Sequence, residues 1–502
     1  MPYGCIGWES MPLCKHMKKY SSWVFTVLSI VAILFAVLPL FGPRFIPTHD
    51  GEYHIIRFWQ FYTMLSSGHW FPRWAPDLNG GFGIPLFTFQ YPFPNYVGSF
   101  FHFLGLSFVD SVKWTLGAGY VVAMAFCFLW LRRLFGNIPA SIGTIVGAYV
   151  PYWFLDLYVR GSVGEVWALA WVFGGLAAIS YNNRFLLSLC VGLLILSHNI
   201  MALIFTPLLL LYIVITDGKL VPSALLGIGI ASYFWIPALY EQQFIVGLNP
   251  VNVLDHLPEL YQLLIPSWGT GFRGAIGGGT EMSYQIGIVP LVVLALSVLQ
   301  KKRQWFFILS FLFAVFLMHP WLSLFWRLAP FLHVVQYPWR LLSVIVVATP
   351  IFTASIARQY RFAWVLALLA VTATFGYSRP VTYEPRSDAH YLSQASFTQG
   401  TSSLGDAFQT IWFTEDANVE IASLSVTYVA HVAYYPGWRA SVDGREVAVT
   451  RSENGLVSFP VPAGEHTTRI WLGLTWWQKA SAALSVLSLF VATVSFILKK
   501  RT

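Results

Sequence analysis

Long apolar runs separated by short polar stretches dominate the chain, and most are longer than the buried elements of a soluble domain. Segments near 21–41, 112–131, 138–155, 166–180, 220–238 and 474–498 approach or exceed the length a helix needs to cross roughly 30 Å of hydrocarbon. Between Arg184 and Asp217 there is room only for two short helices, turning at "LSHNI". Two further hairpins follow, one turning at "KKR" (301–303) and one at "RQYR" (358–361). The pattern predicts an α-helical polytopic membrane protein of about twelve transmembrane helices.

Residues 378–473 break the pattern. They contain no spanning run, and "VEIASLSVTYVAHVAYY" and "LVSFPVPAGEHTTRIWL" alternate apolar and polar positions as half-buried strands do. "VDGREV" places Asp443-Gly444 where a two-residue hairpin would turn. A small β-sandwich-like domain is expected here, ahead of the final helix.

Composition agrees with a bilayer-embedded chain: 56% of the 502 residues are hydrophobic and only 10% charged, against about a quarter charged in soluble domains. Lys and Arg exceed Asp and Glu by 30 to 22, a formal charge of +8. These cations sit in short clusters between apolar runs, which argues for cytoplasmic loops and against nucleic-acid binding. Lys15, Lys18 and Lys19 then hold residues 1–20 inside, and 21–41 reads as an uncleaved signal-anchor helix because no small-residue cleavage site precedes "GPRFIP". On this map the transmembrane domain covers 21–377, with a first extracytoplasmic loop at about 42–111 and a long outer loop at about 239–282. The β domain (378–473) lies on the same side, and 474–502 forms the last helix and a basic cytoplasmic tail.

Cys5, Cys14, Cys127 and Cys190 form no disulfide framework and no Cys-rich zinc pattern. "GAIGGGTE" lacks the Lys-Ser/Thr of a phosphate-binding loop and reads as an outer loop.

The informative charges share a side. Asp50, Glu52, His54, Arg57, Arg73, Asp77, Arg160, Glu165, Glu241, Glu281, His333 and Arg340 all fall at predicted outer helix ends or in outer loops, where ionisable groups near a membrane are functional candidates. A helix starting near Asp50 would put Asp50, His54 and Arg57 on one stripe. Asp50 there can serve as a general base or simply cap the helix. "RGSVGE" sets Arg160 and Glu165 at adjoining helix ends, as an ion pair or as a phosphate grip with its orienting acid. His198 and Asn199, at the tip of the short hairpin, are turn residues or substrate contacts. Arg340 in "YPWR" either anchors at the interface or meets an anionic group. His49 and His54 flank two acids without matching a zinc signature.

"THDGEYHIIR", "GHWFPRWAPDLNGGFGIPLFTFQYP", "RGSVGEVWALA", "LSHN", "WIPALYE" and "QYPWRLL" resemble, in that order, bacterial membrane proteins labelled 6-pyruvoyl-tetrahydropterin-synthase-related. "YYPGWRASVDGREV" and "VPAGEH" ahead of a final helix resemble the C-terminal region of YfhO-type membrane proteins. Both groups are related to GT-C glycosyltransferases, and no metal-binding pattern of a pterin synthase is present.

The resemblance implies transfer of a sugar from a polyprenyl-phosphate-linked donor to an extracytoplasmic glycan, lipid or protein acceptor at the bilayer surface. It implies Asp50 as the essential acidic residue of the first loop, acting as the base, with Glu52 as its substitute. Arg160, Arg57 and Arg340 would bind the donor phosphate, and His54, Glu165, His198, Asn199 and Glu241 would position substrate. The loop carries "DGE" rather than Asp-X-Asp, so a divalent cation, Mg or Mn, stays open. A transporter or flippase of a lipid-linked or anionic substrate is the alternative, and a non-catalytic envelope assembly protein a third.

Overall fold

The computed structural model describes residues 12–247, 251–271, 281–300, 303–393, 406–414 and 427–499. The chain is an integral membrane protein built mainly of helices. Among the described residues, six helices are long and apolar enough to cross a bilayer: Trp23–Phe41, Phe108–Phe135, Val163–Ser180, Asn199–Ile230, Pro338–Gln359 and Trp476–Leu498. Two bent pairs raise this to eight, Asn137–Ala148 with Pro151–Arg160 (51°) and Trp305–Met318 with Pro320–Leu328 (80°). Arg184–Ser197, Ile288–Leu299 and Trp364–Tyr377 are apolar but shorter. Length and composition alone therefore do not reach the expected figure of about twelve.

The chain also breaks at two points in this region. The backbone leaves helical geometry at His198 (φ −164°, ψ 123°) and again at Asp217 (φ −154°, ψ 86°). Ser188 Oγ donates to the Ser223 carbonyl (2.7 Å), and Gly192 packs on Gly227 and Ile230, so Val221–Ile230 runs parallel to Arg184–Ser197. The Asn199–Asp217 helix between them must run the other way.

The innermost helices approach closely because small residues line their contacts. A Cβ on Gly143 would lie 2.7 Å from the Pro350 carbonyl, and one on Gly147 would lie 2.9 Å from the Pro350 side chain. Between apolar helices in lipid, such close packing supplies much of the association energy. Trp23–Phe41 and Trp476–Leu498 are mostly exposed and lie at the periphery.

The β domain contains β1 (Thr427–Ala433), β2 (Trp438–Val442), β3 (Arg445–Val447), β4 (Thr450–Arg451), β5 (Leu456–Pro460) and β6 (Thr468–Leu472). They form two three-stranded antiparallel sheets, ordered β1-β5-β4 and β3-β2-β6. Ala430, Ala440, Val442, Val457 and Phe459 fill the space between them. Asp443 and Gly444 both take positive φ (50° and 80°), the left-handed pair that the Asp-Gly turn predicts. The first part of the predicted strand, up to 426, and most of "GAIGGGTE" lie outside the described residues. Cys127 and Cys190 are buried free thiols.

Candidate active site

Two sequence motifs meet through main chain. The amides of His49 and Asp50 donate to the carbonyls of Val159 (3.0 Å) and Arg160 (2.8 Å). Gly161 follows at φ 65°, and a Cβ there would lie 2.2 Å from Thr48 Oγ1. Only glycine lets the "RGSVGE" corner sit this close to "PTHDG". "DLYVRGSVGE" (156–165), between the helices expected at 138–155 and 166–180 and read as an outer loop, instead begins within a π-helical turn, Leu155–Arg160, that is fully buried. Single π turns of this kind frequently mark functional sites.

Asp50 occupies the N-cap position of the Gly51–Ser66 helix, but its carboxylate does not cap it. The Gly51 amide is taken by Thr48 Oγ1 at 3.1 Å. No donor among the described residues hydrogen-bonds the Asp50 side chain, which stays partly exposed at the junction of the two motifs.

Beneath it lies a buried ionic network centred on Glu165. Its carboxylate accepts from Arg160 Nη2 (2.8 Å), Arg340 Nε (3.0 Å) and Tyr152 OH (2.7 Å), with His198 Nε2 at 3.8 Å. Arg160 Nη1 also pairs with Asp156 at 2.6 Å. Trp339 covers the Arg160 guanidinium at 4.6 Å, and Tyr337 covers that of Arg340 at 5.1 Å. Arg340 Nη1 donates further to the Val335 carbonyl and to Gln336. Two carboxylates thus face two guanidinium groups, and the formal charge cancels. Buried ions need such pairing, because their desolvation cost otherwise exceeds the attraction.

His198 Nδ1 accepts from the Met201 amide (3.2 Å), which places the imidazole proton on Nε2, facing Glu165. Burial pushes its pKa down to about 3, against the opposing pull of Glu165. The Tyr91 ring lies 5.0 Å from the His198 ring, and Asn199 Nδ2 donates to the Phe89 carbonyl (3.1 Å).

The Gly51–Ser66 helix carries Asp50, His54 and Arg57 towards this network on the predicted stripe. Arg57 lies 5.9 Å over the Tyr53 ring and within electrostatic reach of Asp50 and Tyr91. Burial lowers its pKa from the ordinary arginine value. His54 is 1% exposed, and burial, with Arg57 and His198 adding to it, holds its imidazole well below the ordinary histidine range.

The structure separates two candidates from this group. Glu52 pairs with Arg386 (2.5 Å), which also pairs with Glu384 (2.6 Å). The same strap bridges Phe45 to Glu384 and sets Asp388 on the amides of Phe108 and Val109 (2.7 and 2.9 Å), capping the Phe108–Phe135 helix. Glu241, fully buried, accepts from Tyr435 OH, Trp477 Nε1 (2.7 Å) and Gln478 Nε2. Arg73 donates to Gln478 and to the Gly473 carbonyl. Arg73 therefore fastens the final helix to the first loop, and Glu241 fastens the β domain and the final helix to the end of the Ser232–Tyr240 helix. Among the described residues no three of His, Cys, Asp and Glu converge as a metal-binding group.

Sequence reasoning passed over Asp156, Tyr152, Trp339, Tyr91 and Thr48. The available signal was the i,i+4 spacing of Asp156 and Arg160 in "DLYVR". At the opposite ends of the same helices, Arg133 donates to the Ser180 carbonyl and Arg358 to that of Leu134. The charge-balanced ionic hub and the basic fringe thus occupy opposite ends of these helices.

No protein-family profile and no curated protein matches the chain. Among solved structures, it is similar to ArnT from Cupriavidus metallidurans bound to undecaprenyl phosphate (14% identity, TM-score 0.41, covering 70% of this chain and 63% of that one). It is also similar to the mycobacterial arabinofuranosyltransferase AftD (16%, 0.45, 71% and 27%). The Archaeoglobus fulgidus oligosaccharyltransferase, in complex with Zn and sulfate, is a third (16%, 0.40, 73% and 53%). The chain spans less than two thirds of the length of each.

Proposed function

We propose that the protein is a membrane glycosyltransferase that moves a sugar from a polyprenyl-phosphate donor to an acceptor hydroxyl on the extracytoplasmic side. The observation that carries this reading is the Asp50 carboxylate. It is held in place by main-chain bonds from residues 49 and 50, it accepts no hydrogen bond from a donor among the described residues, and Arg57 lies within electrostatic reach. Asp50 takes the acceptor proton as the new C–O bond forms. The bond between the anomeric carbon and the phosphate oxygen breaks, and polyprenyl phosphate leaves with its developing charge stabilised by a cation.

Arg57, within electrostatic reach of Asp50, takes that role, while the Nη atoms of Arg160 bond Asp156 and Glu165 beneath Trp339. Arg160, Glu165 and Arg340 act as the rigid floor that fixes the geometry, and His198 and Asn199 keep the hairpin tip beside it. Glu52 and Glu241 serve the scaffold. The basic ends of the bundle support a cytoplasmic location for that face, which leaves Asp50 and the β domain outside.

The test is incubation of the purified protein in nanodiscs with a panel of polyprenyl-phosphate sugars, following release of polyprenyl phosphate. Turnover that is lost in Asp50→Asn supports the reading, whereas no release from any donor overturns it.

A further inference from the structure

The helices Gly51–Ser66 and Phe93–Phe103 of the first loop pack with a readable register. A Cβ on Gly98 would lie 2.2 Å from the Phe58 ring, and the rings of Tyr62 and His102 are 4.5 Å apart. Both contacts advance by four residues in each helix, so the two run in the same direction. One turn earlier, the same register sets His54 against Pro94 and Asn95.

Both side chains are 1% exposed. Neither ring nitrogen of His54 has a hydrogen-bond partner among the described residues, and neither has Asn95 Oδ1. Asn95 Nδ2 is occupied, donating to the Tyr91 carbonyl at 3.0 Å. Buried polar atoms are ordinarily satisfied, so three such atoms in one place call for a ligand of matching chemistry.

That chemistry is specific. Asn95 Oδ1 can only accept, while a neutral imidazole offers one donor and one acceptor. A phosphodiester oxygen only accepts, so it would satisfy neither Asn95 Oδ1 nor the accepting nitrogen of His54. A hydroxyl both donates and accepts, and it satisfies either. Resting on the glycosyl-transfer reading, we infer that His54 and Asn95 form a hydroxyl-binding subsite for the donor's sugar. Arg57, three residues along the same helix, faces the phosphate.

The experiment measures binding of undecaprenyl phosphate, and of undecaprenyl-phosphoryl glucose, mannose and arabinose, to the full chain in nanodiscs. It compares the wild type with His54→Phe, which keeps a ring but removes both nitrogens. The expected result is an affinity loss on the order of ten-fold for the sugar-bearing lipid that the wild type prefers, with undecaprenyl phosphate unchanged. Unchanged donor binding with a raised KM for a hydroxyl acceptor such as octyl glucoside would keep the hydroxyl subsite but overturn its assignment to the donor sugar.

An equal loss for the bare phosphate lipid would place phosphate there and overturn the inference. No change in any of these would mean that ordered water alone satisfies the site, and would also overturn it. If His54→Phe does not accumulate, Asn95→Ala carries the same test. A wild type that binds none of the lipids would fail the glycosyl-transfer reading itself, a result distinct from the loss of discrimination.

Discussion

The Asp50 amide donates to the Arg160 carbonyl across 2.8 Å, so the first-loop carboxylate is tied to the buried ionic network through main chain. Side-chain chemistry at Asp50 can therefore change without breaking the tie. Conversely, a change of backbone shape at residues 159–161 moves the carboxylate directly.

Gly161→Ala should expose this coupling. The new Cβ would meet Thr48 Oγ1 at 2.2 Å in a left-handed backbone that L-residues adopt only under strain. The expected cost is about 2–4 kcal/mol, read from the unfolding midpoint. Removing the hydroxyl in a Thr48→Ala, Gly161→Ala double variant should recover part of it. Strictly additive losses would show that the two motifs do not touch at this point.

Asp50→Asn and Glu52→Gln should separate chemistry from scaffold. Asp50→Asn leaves the amide bond and the Thr48 cap in place, so the protein should accumulate normally while transfer falls by roughly 10²–10⁴-fold. Glu52→Gln loses only a half-exposed pair with Arg386, worth about 1 kcal/mol or less, and should keep most of its turnover. The reverse pattern would move the base to Glu52.

The apolar runs made the helical class legible, and Asp443-Gly444 gave the β hairpin, because period and turn chemistry are local properties. The Asp50, His54 and Arg57 stripe was legible for the same reason. What stayed hidden depends on long-range contact. Arg386 captures Glu52 across 334 residues, and Tyr435 reaches Glu241 across 194. No spacing rule distinguishes a carboxylate that will meet a distant donor from one that will not. The π turn at 155–160 hid too, since "DLYVRGSVGE" carries the polarity of a surface loop and is buried only because its charges pair with one another.

Glu165→Gln should be among the most damaging single changes, because it leaves the buried Arg340 guanidinium without its carboxylate and Arg160 with Asp156 alone. Breaking a buried pair in this way costs about 3–5 kcal/mol. Exchanging charges in an Arg160→Glu, Glu165→Arg variant should not rescue it. Arg340 Nε also bonds Glu165, at 3.0 Å, and would face an arginine in the exchanged variant. Folded yield and unfolding midpoint for the singles and the exchange decide this. Recovery in the exchanged variant would reduce the hub to an isolated Arg160–Glu165 pair.

Acid should reveal His198. Its imidazole is held neutral in the folded chain, with its pKa pushed down to about 3, while in the unfolded chain it titrates near its ordinary 6.5. Between those values the unfolded state binds a proton that the folded state refuses, so stability is full above pH 6.5 and declines as pH falls towards 3. The slope for one such group is about 1.4 kcal/mol per pH unit. His54 and His49, both lowered chiefly by burial, add slopes of the same sign. In His198→Asn, an amide oxygen can still accept from the Met201 amide, but the titrating group is gone. Unfolding midpoints measured from pH 7 to pH 4.5 should therefore fall less steeply in this variant than in the wild type. Parallel curves would mean that His198 is protonated in the folded state as readily as in the unfolded one, and the neutral, Nε2-protonated imidazole beside Glu165 would have to be abandoned.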